Sequence, residues 1–186
     1  MNVKRYSSLL LLILTSLLIF NEKDLTYPQL PEKFFTYINK YLYIGSYYSF
    51  IIIAISTYLV LYIKKHKNPL LHLYSAVTLI FIFYLKKIFS RAGSEFDGKF
   101  FQEITIGLFP SGHTYLTLLI SYLIFYTTKK ITENKKIINI ILIVLIVNLF
   151  IMTTALTFSN YHYISDITAS ILFFILYLTF SKKIIK

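Results

Sequence analysis

Apolar residues along this chain fall into six runs, each closed by a short polar cluster: residues 6–20, 47–63, 70–85, 111–128, 137–158 and 164–180. None shows the strict alternation of a half-buried strand, and each is long enough to run as a helix. A bilayer core takes about 20 helical residues, with about 17 to 25 tolerated. Several runs sit at the short end of that range, so the pattern predicts helix ends that extend into the flanking polar residues. The expected fold is all-α, an integral membrane bundle of six transmembrane helices forming one domain over residues 1–186. No internal repeat and no low-complexity linker divides it. The basic start and short apolar centre of the first run also fit a cleaved signal peptide. Asn21-Glu22-Lys23-Asp24 follows it in place of small residues, so a retained first helix is expected. Pro28 and Pro31 break the next stretch, and the aromatics of residues 34–43 suit either a water–lipid boundary or an exposed loop.

Composition agrees with a membrane class. Hydrophobic residues make up 56% of the chain and mean hydropathy is +0.65, too apolar for an ordinary soluble domain of this size. Cysteine is absent, which excludes a disulfide framework and a thiolate metal site. With four His and eight acids, no dedicated metal site is expected. The net charge of +11 raises nucleic acid as a partner, but the basic residues lie between apolar runs, where membrane topology accounts for them. With six spans, one side carries Lys4, Arg5, Lys64, Lys65, Lys67, Lys129, Lys130, Lys135, Lys136, Lys182, Lys183 and Lys186 against Glu133 alone. The other side carries seven basic and seven acidic residues. The positive-inside rule assigns the first side, with both termini, to the cytoplasm.

The candidate chemistry lies on the opposite side. Pro110-Ser111-Gly112-His113 opens a run expected to be helical. Backbone N–H groups at a helix start lack intrahelical partners, and with the positive end of the helix dipole they form an anion site. His113 falls in that first turn. His162 follows at the next polar break, and Asp166, four residues on, shares its helix face. Lys86, Lys87 and Arg91 belong to the same outer face. Arg91 is one of two arginines in the chain, and its planar fork of donors suits phosphate oxygens; the plainer reading is an interfacial anchor. His66 belongs to a basic cluster and His72 begins a span, so neither is assigned chemistry. The 17 Tyr and 17 Phe fit lipid-facing and interfacial bulk. Asp166, an acid at the start of the last span, is expected to have a partner and a function.

Lys86 and Arg91, then Pro110-Ser111-Gly112-His113, then His162-Tyr163-Ile164-Ser165-Asp166 resemble the three motifs of the type 2 phosphatidic acid phosphatase family, over residues from about 70 to 175. The resemblance implies a membrane enzyme that removes phosphate from lipids without a metal or other cofactor, through a phosphohistidine intermediate. It implies that His162 attacks phosphorus, that Asp166 orients its imidazole, and that His113 protonates the leaving group and later activates water. Lys86, Arg91, Ser111 and Gly112 would hold the phosphoryl oxygens. The implied substrates are lipid phosphate monoesters or diphosphates: undecaprenyl diphosphate, phosphatidylglycerol phosphate, phosphatidic acid or lipid A phosphate. The implied setting is the bacterial inner membrane, with the site on the periplasmic side.

Two positions depart from the family pattern. Counting from Lys86, the Arg-Pro of the first motif falls on Gly93 and Ser94. The Ser-Arg of the third falls on Ala155 and Leu156, and no basic residue stands between Lys136 and Lys182. Arg91, Lys87 or Lys99 would have to compensate, or Ser159 and Asn160 as neutral donors. These departures keep two other readings open: a non-catalytic protein that binds or moves lipid phosphates, and a membrane scaffold without a ligand.

Overall fold

The structure is a computed structural model that describes residues 47–66, 69–88, 109–158 and 162–184. Five α-helices, and no strand, occur among these residues: α1 Tyr47–Ile63, α2 Pro69–Ile88, α3 Gly112–Ile131, α4 Lys135–Phe158 and α5 Ile164–Ile184. The all-α expectation therefore holds for them. The run at residues 6–20 and the aromatic stretch at 34–43 lie outside the described residues. The expected extension of helix ends is seen in α2, α3, α4 and α5, each of which reaches past its apolar run into Lys-bearing sequence. At about 1.5 Å per residue, the 20 residues of α2 and of α3 span about 30 Å.

Two stretches, Lys135–Phe158 and Ile164–Lys182, are long and apolar enough to cross a membrane; α1 and residues Leu70–Lys86 of α2 are shorter apolar helices. Apolarity and burial run in opposite directions. α3 is rich in hydroxyls and carries His113, yet it is the centre of the bundle and packs against each of the other four helices. Tyr115, Leu116, Leu119 and Leu123 are almost wholly enclosed there, and Phe50, Ile82, Phe174 and Tyr177 close around them from α1, α2 and α5. α4, a near-continuous run of Ile, Leu and Val, buries only Met152, Ala155 and Leu156. Its Ile143, Val144 and Phe150 are 59%, 59% and 70% exposed. A helix that is apolar all round but covered on one stripe needs an apolar surrounding.

Several hydroxyls bond within their own helix or between helices, while the enclosed Thr117, Ser121 and Thr127 hydroxyls of α3 meet no hydrogen-bond partner among the described residues. Thr153, Thr168 and Thr179 donate to the carbonyls four residues earlier, at 3.0, 2.8 and 2.6 Å. That bond hides a hydroxyl on an apolar helix. Between helices, the Ser75 hydroxyl meets the Tyr177 hydroxyl at 2.7 Å and Thr57 Oγ1 lies 3.1 Å from His72 Nε2. His72 thus turns toward α1 and joins two helices. Helix ends are well formed. Lys65, at φ 60°, closes α1 with the Lys65 and His66 amides donating to the Tyr62 and Leu61 carbonyls, the Schellman arrangement. Asn134 caps α4, its Oδ1 accepting from the Lys136 amide at 3.0 Å.

Lys64, Lys65, Lys129, Lys130, Lys135, Lys136 and Lys182 are all exposed and lie at one end of the bundle. Lys86, His113, His162 and Asp166 lie at the other.

The packing separates two substitutions that a hydropathy reading alone would treat alike. Leu119→Ala, at a wholly buried site, is expected to cost about 2–5 kcal/mol. Ile143→Ala, on the open face of α4, is expected to change stability by no more than about 0.5 kcal/mol. Unfolding in detergent checks both; equal losses would contradict the arrangement of α3 and α4.

Candidate active site

Three segments converge at the end of the bundle away from the lysine collar. The first is the last turn of α2, which carries Lys86. The second is Ser111 with the first turn of α3. The third is the turn from His162 into α5.

Ser111 is the N-cap of α3. Its backbone is extended, and its Oγ accepts from the Thr114 amide at 3.3 Å and from the Thr114 hydroxyl at 2.9 Å. Both contacts use Thr114 as donor, so the Ser111 hydroxyl keeps its own proton for another acceptor. The Ser111 amide donates to the Asp166 carbonyl at 3.1 Å. Gly112 and His113 are left to present first-turn N–H groups to an anion.

Lys86 closes over that turn. A Cβ added to Gly112 would stand 3.2 Å from Lys86 Nζ and 3.8 Å from its Cδ and Cε. Glycine at this position lets the lysine side chain lie directly along the helix start. Lys86 is 4% exposed. An ammonium at the positive end of a helix dipole is electrostatically unfavourable by itself, and a buried one needs a compensating charge. Asp166 is within electrostatic range of it, as is the His113 imidazole. A buried cation beside helix-start amides makes a strong recess for an anion.

The third segment is built on a reciprocal cap. Tyr163 precedes α5, and Asp166 in the first turn reaches back so that its Oδ2 accepts from the Tyr163 amide at 2.9 Å. The Asp166 amide donates to the Tyr163 carbonyl at 3.0 Å. This is the carboxylate half of a capping box, and an acid there is favoured by the dipole. The same Oδ2 lies 3.5 Å from His162 Nδ1. The His162 amide donates to the Leu156 carbonyl at 3.2 Å, which ties the turn to the end of α4. The turn is thus tied to the end of α4, and the His162 ring lies beside a wholly buried carboxylate.

His113, half-buried, faces His162 with ring centroids 6.4 Å apart and planes at 61°. Two rings at this separation can border one small group. The arrangement can direct a nucleophilic nitrogen and a proton donor at one tetrahedral centre, with Lys86, the Ser111 hydroxyl and the α3 amides around its oxygens.

Of the residues singled out from sequence, His113, His162, Asp166, Lys86, Ser111 and Gly112 come together. Arg91 lies outside the described residues, as do Gly93, Ser94, Lys99, Ser159 and Asn160. Leu156 and Ala155 are buried on the last turns of α4 against Met152 and Ile167, so that position contributes apolar packing and a carbonyl to the turn. Sequence reasoning passed over Thr114 and Ser170. Thr114 stands three residues after an N-cap serine, and Ser170 four residues after Asp166 on the same helix face; those spacings were the available signal. Among the described residues, no three His, Cys, Asp or Glu side chains gather to hold a metal. No protein-family model, curated protein or solved structure matches this chain.

Asp166→Ala would leave Lys86 buried without its countercharge and the Tyr163 amide without its acceptor. The expected cost is about 3–5 kcal/mol, read from thermal or denaturant unfolding in detergent. Stability unchanged by Asp166→Ala would show that the carboxylate does not organise this end of the bundle.

Proposed function

We propose that this protein is an integral membrane phosphatase similar to the type 2 phosphatidic acid phosphatases, hydrolysing a lipid phosphate monoester or diphosphate. The observation that carries this reading is the neighbouring pair of imidazoles: the His113 and His162 ring centroids lie 6.4 Å apart, His162 stands beside Asp166, and His113 belongs to the α3 turn that forms the recess with Lys86.

The reaction has two steps. With the proton on His162 Nδ1, the nitrogen beside Asp166, Nε2 is free to attack phosphorus. The P–O bond to the lipid breaks, and His113 gives its proton to the departing oxygen. Asp166 stabilises the positive charge that appears on the His162 ring. In the second step His113, now neutral, takes a proton from water. The water oxygen attacks phosphorus, the P–N bond breaks, and inorganic phosphate leaves with His162 restored. Lys86, the Ser111 hydroxyl and the Gly112 and His113 amides neutralise charge on the phosphoryl oxygens, the main source of acceleration in phosphoryl transfer.

Placement in a membrane has support from the open apolar face of α4 and from two helices of spanning length. Lys135 and Lys136 add to it. They sit at the start of α4, where a helix dipole disfavours cations, so helix stability does not account for them and attraction to the cytoplasmic side does. In this reading residues 6–20 supply a further span, completing six. The lysine collar faces the cytoplasm, and the site opens on the periplasmic side of the bacterial inner membrane. A second reading, a non-catalytic protein that binds or moves lipid phosphates, draws on Ala155 and Leu156, whose apolar side chains occupy a place where the family carries a Ser-Arg pair.

Purified protein in detergent, given short-chain phosphatidic acid or an isoprenyl diphosphate with EDTA present, is expected to release phosphate. His162→Ala should abolish release, and His113→Ala should lower it by about 10²–10⁴-fold, the usual range for one general acid or base. Equal release by wild type and His162→Ala would overturn the enzymatic reading. Binding of these lipids without turnover would favour the second.

A further inference from the structure

Ser170 lies on α5 one turn beyond Asp166 and is wholly buried. Its Oγ is 2.9 Å from the Asp166 carbonyl, the ordinary bond of a helical serine to the residue four before it. The same hydroxyl is 2.8 Å from the carbonyl of Ser111, on a different helix. The Asp166 carbonyl in turn accepts from the Ser111 amide at 3.1 Å. Ser170 shares its one hydroxyl proton between the two carbonyls, so both backbone polar groups of Ser111 are tied to α5, one by Asp166 and one by Ser170. Ser111 caps the turn that carries His113 and the anion recess, and Asp166 backs His162. The three groups form a brace between the two halves of the site.

We infer that Ser170 is a positioning residue that fixes the spacing between the α3 recess and the His162–Asp166 pair. The inference rests on the phosphatase reading above. Ser170 touches no reacting atom in that scheme; it acts through Ser111. Removing its hydroxyl leaves no buried carbonyl without a donor, because Ser111 O still accepts from the Tyr115 amide and Asp166 O from the Ser111 amide. The fold should survive, while the spacing between the two imidazoles loosens.

The test compares wild type, Ser170→Ala and Ser75→Ala in detergent with short-chain phosphatidic acid as the probe substrate. Ser75 makes an equally buried contact between helices, with Tyr177, one that does not involve the site. Ser170→Ala is expected to lower kcat by about 10–100-fold, the scale of a misplacement of about 1 Å, with KM within about threefold. Inhibition by orthovanadate, a mimic of the transferring phosphoryl group, should weaken by a similar factor. Ser75→Ala should keep wild-type kcat and vanadate inhibition. If Ser170→Ala fails to fold, Ser170→Cys, which keeps the shape with a weak donor, is read in its place with the same expectation. Wild-type kcat and vanadate inhibition in the Ser170 variant overturn the inference and leave the phosphatase reading intact. A loss that Ser75→Ala shares also overturns it, as a packing effect. No phosphate release by wild type removes the phosphatase reading, and the inference falls with it.

Discussion

One buried carboxylate joins every part of the candidate site. Asp166 caps α5 by accepting the Tyr163 amide, lies beside the His162 ring and within the field of Lys86, and offers its own carbonyl to Ser111. A carboxylate with no solvent exposure is costly unless such groups surround it. The same contacts that make Asp166 tolerable therefore also set the positions of the His162 turn and of the α3 N-cap. Stability at this end of the bundle and the proposed chemistry depend on one set of bonds.

The rest of the fold follows from where polarity can be hidden. α3 starts at the site, carries the most hydroxyls and packs against each of the other four helices. α4 has almost nothing to hide and lies on the outside with its apolar surface open. This ordering puts the His113 end of α3 at the end of the bundle, held between α2 and α5, while the lysines gather at the opposite end. A membrane protein with its site at one bilayer face is the proposal that accounts for both features.

Much of this was legible in the sequence. The periodic apolar runs located the five described helices to within a few residues, because each run is bounded by Lys, Pro or Asn that mark its ends. The four-residue spacing of His162 and Asp166 and the helix-start setting of Ser111-Gly112-His113 identified most of the site. The bonds between segments were not legible. That Lys86 lies along Gly112, that Ser170 reaches Ser111, and that His72 turns toward Thr57 are consequences of packing between helices far apart in the chain. No local pattern encodes them. The burial of Leu156 likewise depends on α4 meeting α5 through Met152 and Ile167.

The proposed reaction requires a covalent phosphoryl group at His162. Brief mixing of the protein with short-chain phosphatidic acid, a quench in base to preserve phosphohistidine, and peptide mass spectrometry would measure it directly. The expected result is phosphoryl on His162 in the wild type and a larger steady amount in His113→Ala, where hydrolysis of the intermediate is slowed. Turnover with no phosphoryl on His162, or with phosphoryl on another residue, would contradict the account.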